Sequence, residues 1–332
     1  MTTARRLQSG GLIDRSRRIR FKFNGKDYSG HPGDSLAAAL LAQGVRCFGR
    51  SFKYHRPRGV VGAGAEEPNA LVQVGEGALS TPNLRATQVE LYEGLIARTV
   101  NGWPSLAFDV GAINNRLSRL LPAGFYYKTF MWPRSAWMRY EHYIRRAAGL
   151  GHAPSLPDTD YYDKRHVHCD VFIAGGGPTG LIAALGAARA GARVLLVDEQ
   201  AQLGGTLLFS PAVIGGQTGL DWVSELEAEL RSFPQVTILS RSTVTGYYDH
   251  NFLVVNERRT DHIGPSQASS KRVRERLWRI RAKQVVIATG AIERPLVFDG
   301  NDTPGVMLAS AVSTYIRRYA VAPGRSGAVF TN

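Results

Sequence analysis

One stretch constrains this chain more than any other: "DVFIAGGGPTGLIAALGAARAGARVLLVDEQAQLGG", from Asp170 to Gly205. A short apolar run ends in a glycine turn. An alanine-rich segment follows, and a second apolar run ends in two acids. This is the pattern of a strand, a helix and a parallel strand. Within it Gly175, Gly177 and Gly180 form a GxGxxG, and Asp198 and Glu199 come 18 and 19 residues after Gly180. Gly175 permits the tight turn out of the strand, Gly177 lets the backbone approach a pyrophosphate, and Gly180 lets helix and strand pack closely. Pro178 and Thr179 open the helix, whose N-terminal N–H groups and partial positive charge suit phosphates. An acid closing the second strand accepts hydrogen bonds from ribose hydroxyls and disfavours a 2′-phosphate, which argues against NADP. FAD and NAD both remain open.

The rest of the chain sets the frame. Its 332 residues suggest about two domains. Hydrophobic content of 44% and charged content of 20% belong to the soluble globular class. No charge-free run of about 18 apolar residues occurs, so no membrane span is expected. The arginine-rich start lacks the apolar core of a signal peptide. Cys47 and Cys169 are the two cysteines, and neither lies in a CxxC. That excludes a cysteine-built zinc or iron–sulfur site and points to reduced, buried thiols in the cytoplasm. The net charge is +14; residues 1–60 hold 13 Lys/Arg against three acids, and a second basic run spans Lys271 to Lys283. With no nucleic-acid motif beside them, these clusters read as a solvated face or a subunit contact rather than a nucleic-acid site.

The expected fold class is α/β: an FAD/NAD(P)-binding Rossmann-like domain preceded by an α+β β-grasp domain. "RIRFKFNGKDYSGH" alternates around Asn24-Gly25, a two-residue hairpin signal. A helix follows, with Asp34 or Ser35 as its N-cap and Gly44 as its stop. The β-grasp domain is assigned to residues 1–85. The loop "RSFKYHRPR" interleaves aromatic and basic side chains and reads either as an anion clamp or as a packed loop paired with acids of another subunit. Residues 86–165 are read as a strap, with a strand pair, helices broken at Pro122 and Pro133, and a linker from 151. The Rossmann domain is assigned to 166–322, ending in a buried strand that leads to Ala288-Thr289-Gly290. Residues 323–332, with "GAVF", read as the start of a truncated second nucleotide domain and hence of a longer chain. His166 and His168 read as surface residues. No Ser/His/Asp set, carboxylate pair or metal spacing appears, so no catalytic or metal-ligating residue is assigned.

Two resemblances sharpen this reading. Gly204-Gly205 and the late "VVIATG" strand resemble the first nucleotide domain of two-dinucleotide flavoproteins such as thioredoxin reductase, which implies FAD. "GRSFKYHRPRG", "EEPNALVQVG", "PAGFYYKTFMWP", "GGGPTG" and "VDEQ" together resemble the α subunit of heterotetrameric sarcosine oxidase, from about Arg6 to Asn332. Relatives of that family include opine oxidases, amino-acid dehydrogenases and hydrogen cyanide synthase. Several carry a [2Fe–2S] cluster on a cysteine-rich loop; the corresponding loop here, "GVVGAGAEEPNALV", has no cysteine. The resemblance implies β, γ and δ partner subunits, with sarcosine oxidised at FAD in β. It also implies FMN between α and β passing electrons to oxygen, and tetrahydrofolate accepting the one-carbon unit. For α itself it implies a bound NAD that does not turn over. By motif position the implied NAD contacts are Thr179, Asp198, Glu199, Gln200, Thr206 beside Gly205, and Val244. The family often has arginine where Gln200 stands. A related opine or amino-acid dehydrogenase subunit with FAD at the same turn, and a non-catalytic nucleotide-binding scaffold, are the competing readings.

Overall fold

A computed structural model of the chain describes residues 5–121, 124, 132–264 and 272–331. The chain divides into two compact units, Met1–Thr159 with Glu293–Asn332, and Asp160–Ile292.

The first unit contains the β-grasp sheet. Its strand order is Lys26–Gly30, Ile19–Phe23, Leu95–Arg98, Leu71–Val74, Thr81–Arg85. Ile19, Phe21 and Phe23 alternate inward as the sequence period requires. The hairpin turn is at Asn24-Gly25, both with positive φ (50° and 75°). Ser35 caps the helix Leu36–Ala42 by accepting from the Ala38 N–H, and all seven helix residues are buried. Asp34, the other cap candidate, instead pairs with Arg6 at 2.6 Å.

Two expected boundaries move. The sheet does not end at residue 85, because Leu95–Arg98 is a central strand, parallel to Ile19–Phe23 and antiparallel to Leu71–Val74. It is the only strand of the pair expected between 87 and 104. The Rossmann domain does not run to 322, because the helix Ala309–Arg317 belongs to the first unit. Its Tyr315 is fully buried in the same core as Phe21 and Phe48, together with Tyr319 and Val321. Residues 327–330, expected as a strand, form none, and Val329 and Phe330 are exposed. The expected break at Pro122 lies outside the described residues. Pro133 precedes a short 3₁₀ turn and the helix Trp137–Ala148. That helix has Arg145 and Arg146 in its last turn and the left-handed Gly149 as its stop.

The second unit is a six-stranded sheet. Its order is Val236–Leu239, Val194–Val197, Tyr161–Ala174, Val273–Ile287, Phe252–Arg258, Ser242–Tyr248. The first four strands are parallel and the last two antiparallel. Ile173 and Leu196 face a core built with the helices Pro178–Arg189 and Gly219–Ser232. Phe172 and Leu195 face the opposite core, with Leu253, Val255 and Ile280. Burial on both faces explains the unbroken apolar runs of the central strands. The linker expected at 151–165 is in part strand, because residues from Tyr161 onward pair with the strand from Val273. That register is held by Arg276 and Asp163 through two bonds of 2.7 and 2.8 Å.

Candidate functional site

The glycine turn is built by close approach. Gly175 has φ +102°, and a Cβ there would lie 2.3 Å from the Ala288 carbonyl oxygen. A Cβ on Gly180 would lie 1.8 Å from the Gly175 oxygen, so helix and turn meet without room for a side chain. Gly177 differs. Its φ is −74° and its nearest neighbour to a built Cβ is the Gly205 Cα at 3.9 Å. Only the first and third glycines are demanded by the protein's own packing; the second leaves backbone open to the outside.

Gly177 is the N-cap of the helix Pro178–Arg189, with no side-chain cap bond and no acid in the first turn. Pro178 stands at the first helical position, where a missing N–H costs nothing. Thr179 follows, exposed. The helix N-terminus therefore has no acid of its own in the first turn to compensate its dipole.

The acid has a more specific task than its position suggested. Asp198 is buried, and its carboxylate accepts from the Gly176 N–H at 2.7 Å and the Gln200 N–H at 2.8 Å. It clamps the glycine turn to the end of the second strand. The GxGxxG spacing does not single out Gly176, yet it is the glycine that touches the acid; the run of three glycines is the available signal. Gly204, with φ +123°, donates its N–H to the Gly176 oxygen at 2.8 Å. Gly205 then begins the 3₁₀ turn that carries exposed Thr206. Ala288 donates to the Ala174 oxygen at 2.8 Å, so Ala288 and Thr289 pass directly beside Gly175 and lead on to Gly290. Glu199 and Gln200 are half-buried, and their carbonyls accept from Arg258 and from the Arg241 N–H at 3.1 and 2.9 Å. The Ser242 N–H bonds the Asp198 oxygen at 2.8 Å, which places Val244 two residues along the strand that leaves this point. The expected residues thus converge on one end of the sheet.

Other expectations resolve differently. In the basic loop, Arg56 and Arg58 both pair with Asp302 of the same chain, and Arg50 donates to the Leu106 and His55 carbonyls. These arginines thus pair within the chain. His55 and Asp109 form a buried pair at 2.6 Å. In the second basic run Arg274 pairs with Asp160 and Asp261, and Arg276 with Asp163; Lys271 lies outside the described residues. His166 and His168 are exposed, in the middle of the strand Tyr161–Ala174. Burial pushes the Cys169 thiol up to about 11, while Cys47 is half-buried. Among the described residues no cluster of three His, Cys, Asp or Glu could hold a metal, and no helix is long and apolar enough to cross a membrane.

The class of the chain is a ferredoxin-like domain without cluster cysteines together with a Rossmann-type domain of the oxidoreductase kind. Residues 170–280 match the FAD dependent oxidoreductase family, and residues 16–102 match the 2Fe-2S iron-sulfur cluster binding domain family. The chain is a homologue of sarcosine oxidase α subunits. It is 55% identical to that of Rhizobium meliloti (strain 1021) over 98% of this chain and 33% of the relative. It is 38% identical to that of Corynebacterium sp. (strain U-96) over 97% of this chain and 29% of the relative. It therefore spans about a third of the length of these curated relatives. An opine oxidase subunit of Agrobacterium tumefaciens (strain Ach5) is 30% identical over 46% of this chain and 30% of its own length. A solved L-proline dehydrogenase from P. horikoshii shares the fold, with TM-score 0.61 and 22% identity over 98% of this chain and 50% of that one.

Proposed function

We propose that this chain is the nucleotide-holding part of the α subunit of a sarcosine oxidase, and that its glycine turn carries NAD as a fixture. The observation that supports the reading most is the 55% identity over nearly the whole chain to a sarcosine oxidase α subunit. The site's geometry is compatible with it: an open Gly177 backbone, an uncapped helix start and a buried acid that fixes the turn. In this reading the Thr179 and Gly180 N–H groups receive the pyrophosphate. Asp198 holds the turn in shape, and Glu199 and Gln200 lie beside the ribose of the adenosine. Thr206 and Ala288–Gly290 border the remainder of the dinucleotide. The nucleotide adds charge and rigidity to the fold and takes no part in electron flow. The oxidation of sarcosine to glycine belongs to FAD in a β partner, and FMN between the two subunits returns electrons to oxygen. The γ and δ subunits complete the assembly, and tetrahydrofolate takes the one-carbon unit.

A second reading has a specific observation behind it. The family matched by residues 170–280 is described as FAD dependent, which favours FAD at this same turn. The function is tested by an oxygen-electrode assay with sarcosine. The full-length α subunit containing this sequence, combined with its partner subunits, is expected to produce hydrogen peroxide. Failure to consume oxygen with sarcosine, while another secondary amine such as an opine is oxidised, would replace the substrate.

A further inference from the structure

The family matched by residues 16–102 is described by an iron–sulfur cluster, and the residues present do not fit one. The only cysteine in that range is Cys47, whose thiol contacts the Gly49 carbonyl. In the loop where a cluster would be ligated, a carboxylate occupies the centre. Glu67 has no exposed surface. One of its oxygens accepts the N–H groups of Val61 and Gly62 at 2.7 and 2.8 Å, and the other those of Asn69 and Ala70 at 2.7 and 3.0 Å. Glu66 adds a second ring, accepting from Ala63 and Gly64 at 2.6 and 3.0 Å. Backbone amides that converge on one point make an anion site, and iron–sulfur clusters are themselves anions stabilised by such amides.

We propose that the Glu67 carboxylate stands in for the cluster: it is the built-in anion around which this loop folds, and it makes the domain a platform rather than an electron carrier. The loop in turn receives the later part of the chain. Tyr315 donates its hydroxyl to the Gly62 oxygen at 3.1 Å inside the core, and the Leu308 N–H bonds the Val61 oxygen at 2.9 Å. The carboxylate thus organises the seat of the helix Ala309–Arg317. A metal-free loop of this kind has no need of redox assembly, and its anion cannot dissociate.

The test removes the charge and then supplies it from outside. Glu67→Gln keeps the shape but presents an NH₂ to two donors. Hydrogen-exchange mass spectrometry should show peptides covering 61–70 losing protection about tenfold or more, the scale of a charge-assisted hydrogen bond. Peptides covering 194–197 in the second unit should stay unchanged. Glu67→Ala leaves four amides around a cavity, and sodium formate should raise its melting temperature more than that of the wild type. If Glu67→Ala does not fold, refolding in formate is the same readout. Unchanged protection in Glu67→Gln overturns the proposal, as does formate having no selective effect. Anaerobic treatment of the wild type with iron and sulfide should give no cluster absorbance, and a stoichiometric cluster would also overturn it.

Discussion

Gly177 and Gly180 are two glycines of one motif held there for different physical reasons, and substitution separates them. Gly180→Ala puts a methyl into the Gly175 oxygen, so the turn must shift. The expected cost is about 1–3 kcal/mol of stability, read by denaturant unfolding, with nucleotide binding lost as well. Gly177→Ala meets no protein atom closer than 3.9 Å at an ordinary φ of −74°. With both proteins free of nucleotide it should unfold at the wild-type denaturant midpoint, and it should still fail to hold nucleotide. A Gly177→Ala protein that retains nucleotide in full would mean that the ligand does not approach this backbone. Asp198→Ala removes the acceptor of the Gly176 and Gln200 N–H groups. Nucleotide affinity in a calorimetric titration should fall by about 1–3 kcal/mol, through loss of turn shape as much as of any direct contact. Affinity equal to wild type would refute that role. The motif's glycines and the acid were readable from spacing alone. The clamp from acid to turn was not, because it runs through Gly176, a position the consensus leaves unspecified.

At the scale of elements, the ribbon formed by Tyr161–Ala174 and Val273–Ile287 makes a prediction about acid. Its far end is pinned by Asp163 on Arg276, and Arg276 holds the Asp163 carboxyl below its ordinary value, chiefly through their side-chain hydrogen bonds. A depressed carboxylate contributes stability that is present above its unfolded value, about 3.9. That contribution is lost as pH falls through the lower folded value. Hydrogen exchange across residues 161–166 should therefore quicken as pH drops below about 4, after correction for the intrinsic rate. Asp163→Asn should lose that acid-dependent step; identical profiles for the two proteins would contradict the pairing. The hairpin at Asn24-Gly25, a cap at Asp34 or Ser35 and the strand–helix–strand from Asp170 were legible because each rests on local chemistry. The length of the ribbon was not legible. Its outer residues are charged, and cross-strand ion pairs rather than apolar alternation hold them in register.

For the whole molecule, the limit on legibility was membership. The segment Ala309–Arg317 folds as a helix, but nothing local in its sequence says that Tyr315 belongs with Phe21, nearly three hundred residues earlier. An apolar side chain declares that it will be buried, not in which core. The same limit separates nucleotide fold from nucleotide identity, since FAD and NAD share their adenosine diphosphate half. The relatives that cover this chain are about three times its length and are named as subunits. We therefore expect the 332-residue chain by itself to give no sarcosine-dependent peroxide. Turnover at the rate of an assembled enzyme would reveal an active site within it.

Whether the glycine turn holds NAD as a fixture, as proposed above, is read most directly from the released nucleotide. The full-length α subunit is purified, denatured in acid, and the supernatant resolved by chromatography with absorbance and mass detection. The expected result is a colourless protein that yields one NAD per chain, in a form that sarcosine does not reduce before denaturation. A yellow protein yielding one FAD per chain and no NAD would contradict it.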